Sequence, residues 1–342
     1  MKSVTLPCLL VSLGTGALSC SGDAAGGSTQ TPPSPSLLTA PLGDLPSKLS
    51  DVGLYRGAGL DAQAPALAYE PGYPLWSDGG DKRRAIVLPE GASIDGSDPE
   101  NYLMPLGTLI FKTFAFRTPQ SPDAAVPVET RLLRLKGDGW ELAAWAWDDD
   151  ARDAQLLDLR KSQTRDVLDD DGNVVAHAIP SHLECRQCHE SSTSEVLGIN
   201  ELQLARSGSL GELAPRITPE PRPPYARLPE HGPLTSSVLG YFVGNCVHCH
   251  DGIDGGAASS FDLRPDVALA NLIDQPTASS ATADGIRIAP GKPDESILYL
   301  AVKGTSALEV KDMPPLGVAR RDPSAVKLLS DSISELATNP DP

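Results

Sequence analysis

The chain has 342 residues, enough for two domains with cores of their own, and 40% of them are hydrophobic. Aromatic residues make up only 5%, while 31 glycines and 32 prolines predict much loop and short strand and few long helices. A formal net charge of −17 argues against nucleic acid and anionic membrane as partners, and favours proteins with basic docking surfaces.

Met1 to Ser19 reads as a signal peptide: Lys2, then an apolar stretch through Leu9, Leu10, Val11, Leu13 and Leu18. Ala17-Leu18-Ser19-Cys20 resembles a bacterial lipobox, with Ala17 where Leu is usual, and Cys20 is the expected lipidation site; Ala17-x-Ser19 also suits an ordinary signal peptidase, and export is expected either way. Of the six cysteines, Cys8 leaves with the signal and four fall into pairs, which leaves Cys20 to be explained. The expected location is therefore the envelope of a bacterium, as a periplasm-facing or outer-membrane lipoprotein held to the membrane through that lipid only. No other stretch approaches the ~20 apolar residues of a membrane-spanning helix. Residues 20–42 form the tether, its Ser21–Pro41 stretch rich in Gly, Ser, Thr and Pro.

From 43 to 178 the signals are those of a β-rich domain. Strand candidates are Ala85–Leu88, Leu106–Phe116, Val126–Leu135, Trp140–Trp147 after the turn Gly137-Asp138-Gly139, Ala154–Leu159 and Val174–Ala178. Trp140, Trp145 and Trp147 are expected in its core rather than in a ligand groove. The run Trp76–Arg84 sets the basic triplet Lys82-Arg83-Arg84 beside Asp78 and Asp81, which suits an anion, or else a solvated turn leading into the strand Ala85–Leu88.

The segment 179–233 carries the first of two matching motifs, Cys185-Arg186-Gln187-Cys188-His189, and ends in a proline-rich linker over 215–233. Glu195–Leu204 has helical spacing. The last segment, 234–342, opens with an apolar helix candidate, Leu234–Asn245, that runs into the second motif, Cys246-Val247-His248-Cys249-His250. Two further helices are expected, at Asp294–Val302 with Asp294 as cap, and at Asp322–Leu336 with Asp322 as cap and Pro323 in the first turn. Lys311-Asp312-Met313-Pro314-Pro315 lies between them.

Each C-x-x-C-H run is the attachment signature of c-type haem. Two thiols three residues apart can bond to the two vinyl groups of one porphyrin, and the histidine that follows reaches the iron. Zinc pairs and redox disulfides also use C-x-x-C, but they do not call for His after each pair, and no βαβ pattern surrounds either motif here. The reading is two covalently bound haems c, attached through Cys185 and Cys188 and through Cys246 and Cys249. His189 and His250 are the proximal ligands, and Met313 is the distal ligand of the second haem, since a soft thioether raises the potential in the way electron transfer needs. The first haem has no clear sixth ligand. His177, His182, His231 and Met104 are candidates, while His248 is expected to face solvent. With haem present, the triplet Lys82-Arg83-Arg84 also suits a haem propionate.

Residues 234–337 resemble a class I cytochrome c domain, in the order helix, C-x-x-C-H, helix, Met-Pro, helix, with Phe242 four residues before the first Cys. That family's frequent glycine is Val238 here, and 251–290 form a long insertion. Most of 70–337 also resembles a family of exported, largely uncharacterised bacterial dihaem proteins. The shared runs are Leu75-Trp76-Ser77-Asp78 with Lys82 and Arg84; Pro105-Leu106-Gly107-Thr108 with Lys112-Thr113-Phe114; Glu129-Thr130-Arg131-Leu132-Leu133; Ile179-Pro180-Ser181; Asn245; Pro290-Gly291; and Met313-Pro314-Pro315. Those resemblances imply a multidomain fold, an N-terminal β-rich domain followed by an α-helical cytochrome c-like domain, and electron transfer as the function. The alternative is a dihaem enzyme, peroxidase-like, with the first haem open to small ligands. Known dihaem peroxidases, however, space their motifs more widely and lack a β-rich domain of this length. A third reading makes the β-rich region a binding domain for a partner or surface polymer; it has no nucleophile triad or phosphate loop to make it catalytic.

Overall fold

The computed structural model describes residues 36–55, 60–190, 194, 196–252, 262–277, 285–304 and 311–337. The signal peptide, Cys20 and most of the tether lie outside the described residues. Alternating apolar residues build an antiparallel sheet in which β1 (Leu67–Ala68), β2 (Asp81–Val87), β4 (Leu109–Thr118), β5 (Ser121–Lys136), β6 (Gly139–Trp147) and β7 (Ala154–Leu156) hydrogen-bond in that order. Between β2 and β4, β3 (Ile94–Asp95) pairs in parallel with β10 (Ile217–Thr218), and β8 (Gln163–Leu168) forms a hairpin with β9 (Val174–Ile179). The strands expected from sequence all form, with shifted ends. β8 was not anticipated, because its Gln, Thr, Arg and Asp give no hydrophobic alternation.

Register decides what each face carries. On one face Ala85, Phe111, Leu132 and Ala143 lie in one cross-strand row, over a core completed by Leu49, Val52, Leu54 and Trp145. Trp145 is fully buried and its indole donates to the Pro46 carbonyl at 3.1 Å. The indole of Trp147 donates to Thr130 Oγ1 at 2.9 Å, and Trp140 packs against the cluster that contains Ile86, Ile110 and Leu133, so the tryptophans belong to the cores, as expected.

The opposite face changes character along its length. Ile86, Ile110, Leu133 and Leu142 make an apolar row. Against it pack α2 (Glu201–Ser207) and α3 (Leu210–Leu213) through Leu204, Leu210 and Leu213. The next row is Arg84, Lys112, Arg131 and Ala144, and the one beyond it Lys82, Phe114, Glu129 and Ala146. Because side chains alternate with period two, these charges share a face with isoleucine and leucine.

After β9 the chain turns through Pro180-Ser181 into α1 (His182–His189), which contains the first motif. Beyond the linker come α4 (Pro233–Asn245), α5 (Ala268–Leu272), α6 (Ile297–Lys303) and α7 (Pro323–Glu335). Asp322 Oδ1 accepts from the amides of Ser324 and Ala325 at 2.9 and 3.2 Å and caps α7 as anticipated. Asp294 does not cap α6, since a single 3₁₀ turn (Pro293–Glu295) intervenes and Ser296 stands at the N-cap.

The expected fold class is corrected here. The structure is mostly antiparallel β sheet with short helices, and a helical cytochrome c domain is not seen. Between α4 and α6 the described residues form turns around the short α5, with isolated bridges such as Ile273 to Ile288 and Pro276 to Ile286. Nor does α4 stand apart from the sheet region, and residues 35–342 cluster as one unit. A Cβ on Gly240 would come within 2.3 Å of the Tyr73 ring, and one on Gly244 within 2.6 Å of the Tyr73 carbonyl. These glycines let the helix lie against the 73–74 backbone.

Candidate functional site

The two C-x-x-C-H runs lie 61 residues apart in sequence but open on one cavity of about 810 Å³. That is within the roughly 300–1,000 Å³ usual for a ligand site. Cys185, Cys188 and His189 line it from α1, His248, Cys249 and His250 from the turn after α4, and Met313 from the loop before α7. All four motif cysteines are free thiols.

The motifs are presented differently. α1 begins with a capping box: the Glu184 amide donates to Ser181 Oγ at 3.4 Å, and the Ser181 amide donates to the Glu184 carboxylate at 2.7 Å. None of its residues is buried, so the helix is held by its cap and by Ser162, whose hydroxyl also bonds Glu184. The second motif is a continuation of α4. The amides of Cys246 and Val247 donate to the Phe242 carbonyl at 2.8 and 3.0 Å. Phe242 is 1% exposed, among Leu239, Leu300 and Leu329. Asn245 fastens this end to the sheet side: its Oδ1 accepts from the Trp76 amide at 2.7 Å, and its Nδ2 donates to the Tyr241 carbonyl at 3.1 Å.

Cys188 and Cys249, one from each motif, share a hydrogen bond. It pulls the Cys249 thiol below its ordinary range, with His248 helping and burial opposing. The same bond, together with burial, raises the Cys188 thiol. Burial pushes the Cys246 thiol up to about 12.

The sheet supplies a charged wall, and behind it stands a buried network. His177 is fully buried, with Nδ1 3.0 Å from Asp78 Oδ2 and Nε2 2.9 Å from Glu129 Oε1. Burial works to depress its pKa, but the bonds to the two carboxylates raise it above its ordinary value. Glu129 also takes Arg131 as a fork, Nε to Oε2 at 2.9 Å and Nη2 to Oε1 at 2.5 Å. Burial opposes ionisation of Glu129, yet Arg131 and His177 hold its carboxyl down at about 2. Asp78 Oδ1 accepts from the amides of Ala319 and Arg320 at 2.7 and 2.9 Å, and despite burial these bonds and His177 keep its pKa low. Trp76 adds an indole bond to the Arg320 carbonyl at 3.3 Å. A chain of ionic hydrogen bonds thus runs from Arg131, beside the first motif, to the loop that follows Met313.

Of the residues singled out in the sequence, Cys185, Cys188, His189, Cys249, His250 and Met313 come together at this cavity, while Cys246 packs among the C-terminal helices. None of the four candidates for the first haem's sixth ligand, His177, His182, His231 and Met104, is among the residues that line the cavity. His248, expected to face solvent, does line it. His177 is committed to two carboxylates, His182 is exposed on α1 itself, and Met104 packs with the sheet core. The run Trp76–Arg84 is no solvated turn, since Asp78 and Arg84 are buried.

Sequence reasoning missed the roles of Lys112, Glu129 and His177. One signal was present: β4 and β5 are apolar on both faces yet carry Lys112, Glu129 and Arg131 in mid-strand, where an unpaired charge is costly.

The residues present fit a covalent haem. Free thiols, a histidine beside each pair, a thioether and cationic side chains surround one partly apolar space. Structural zinc, the main rival, needs several ligands converging on one point. Among the described residues no three His, Cys, Asp or Glu gather in that way. Among them, too, no helix is long and apolar enough to cross a membrane. Searches for similarity found no matching family model, no matching curated protein and no matching solved structure.

Proposed function

We propose that this chain is a c-type cytochrome with two covalently attached haems that carries electrons in the bacterial cell envelope. The observation that carries the reading is the opening of both C-x-x-C-H motifs on one cavity. When bound, haem supplies reversible one-electron exchange at its iron. The chain's own part is attachment through Cys185 and Cys188 and through Cys246 and Cys249, and ligation by His189, His250 and Met313. The apolar side chains around α4 and α7 keep water from the second site, and the sheet wall sets the charge beside the first. Cys20 is the proposed lipid anchor, and redox partners with basic surfaces suit the charge of −17.

The decisive measurement is a pyridine haemochrome count after acid–acetone extraction, with two haems per chain expected. One or none sinks the dihaem reading. Cys185→Ala with Cys188→Ala should remove one haem and leave the other. Met313→Ala should abolish the weak red-edge band of Met-bound ferric iron and lower that haem's potential.

A second reading draws on the commitment of His177 to Asp78 and Glu129, which removes one candidate ligand of the first haem. It makes that iron open and the protein a dihaem enzyme of peroxidase type. Rapid carbon monoxide binding at one haem with peroxide turnover would select it; refusal of carbon monoxide by both haems selects the carrier.

A further inference from the structure

Three cations stand side by side on the cavity face of the sheet. Arg84 is directly opposite Lys112, Lys112 is directly opposite Arg131, and all three line the cavity. Like charges in opposed positions destabilise a sheet, so the row calls for negative charge to offset it. The chain provides part of that charge. Arg84 pairs with Glu70 across the edge, and Arg131 with Glu129. Glu129 is already shared with His177, and Asp78 is divided between His177 and the backbone of 319–320.

Lys112 is left in the middle. Among the described residues it forms no ion pair; its ammonium sits 4.8 Å from the centre of the Phe114 ring, with the Arg131 guanidinium 4.4 Å from the same ring. Burial first, then the charges of Arg84, Lys82 and Arg131, hold its pKa well below the ordinary lysine range, with Glu129 opposing. A lysine that lines the cavity between two arginines, in a chain of net charge −17, is placed for an anion that enters it.

We propose that Lys112, flanked by Arg84 and Arg131, is the anchor of a carboxylate-binding site in this cavity, and that the propionates of the haem at the first motif are its ligand. The assignment to the first motif follows from the fold: Glu129, which holds Arg131, bonds His177 on β9, and β9 leads through Pro180-Ser181 into α1, whose Cys185, Cys188 and His189 line the same cavity. A compact ammonium with three donors suits carboxylates on flexible arms, and Arg84 and Arg131 add planar donors on either side. The proposal rests on the haem reading above for its ligand, but the cation row does not. A diffusible carboxylic acid presents the same group.

The test uses the full chain with Lys112→Met, which keeps length and removes charge, and Lys112→Arg, which keeps charge. Haem content of the wild type is counted first and judges the haem reading by itself. In a haem-loaded chain, Lys112→Met should lower the potential of one haem at pH 8. The potential should then climb more steeply as pH falls to 5, because a propionate without its counter-charge protonates at higher pH. Lys112→Arg should restore the wild-type profile. An unchanged profile in Lys112→Met overturns the propionate ligand. Succinate then decides the site: saturable protection of the wild type against thermal unfolding, absent in Lys112→Met, keeps a carboxylate site for a diffusible acid, and no protection overturns the proposal altogether. A chain that carries no haem is titrated with protoporphyrin IX and its dimethyl ester. The free acid should bind about tenfold tighter, the size of one charge-assisted bond, and Lys112→Met should erase the preference. Equal binding of acid and ester by the wild type overturns it.

Discussion

Around the first motif the wall is ionic: Arg131, Glu129, His177 and Asp78 bond in series behind the cavity, and α1 buries none of its own residues. Around the second it is hydrocarbon, with Leu239, Phe242, Leu300, Leu329 and Ile333 closed over the end of α4. The same five-residue pattern is therefore positioned by two kinds of force. Ionic hydrogen bonds fix direction and depend on protonation; apolar packing is non-directional and indifferent to pH. The first site is accordingly open to tuning by charge, and the second by shape.

The largest effect should come from breaking the ionic side. Glu129→Ala leaves Arg131 and His177 facing each other in a buried place, and a loss of about 3–5 kcal/mol is expected from removing one partner of such a group. Denaturant unfolding measures it, and a loss under about 1 kcal/mol would show that the network is not holding the sheet wall. On the proposed haem reading, attachment at Cys185 and Cys188 should fail before attachment at Cys246 and Cys249. On the apolar side Leu239→Ala should cost about 2–4 kcal/mol through the cavity left among Phe242, Leu300 and Leu329. It should act in the reverse order, on the second haem first. Equal loss of both haems in both variants would erase the distinction between the two sides.

The smallest and most specific effect is in pH. Glu129 titrates at about 2 against an ordinary 4.5, and Asp78 lies below its ordinary 3.8. Their contribution is complete above the unfolded values and drains as pH falls through the lowered ones. His177 is raised above 6.5, so its share is complete below that value and is lost as pH rises through the folded pKa. Stability should peak between about pH 5 and 6.5. Thermal unfolding across pH 4–9 checks this, and His177→Gln should remove the alkaline decline while Leu239→Ala leaves it in place.

Much of this was legible in the sequence, and the rest was hidden for a physical reason. C-x-x-C-H is a local pattern set by spacing alone, so both motifs could be located without a fold. The strands from Ala85 to Trp147 and the cap of α7 were equally local, resting on alternation and on Asp322-Pro323. The fold class of the last third was misread because helix, motif and helix in order do not say how helices pack. Gly240 and Gly244, ordinary residues in the sequence, bring α4 against Tyr73 rather than into a separate bundle.

Likewise Asp78, Glu129 and His177 are spread over 99 residues and become one network only through sheet register and the β8–β9 hairpin. Which residues belong to the motifs was settled by the chain's chemistry along its length. That they share one cavity, and that a row of cations faces it, was decided by strand pairing, because a register shift of one residue would turn Arg84, Lys112 and Arg131 to the opposite face.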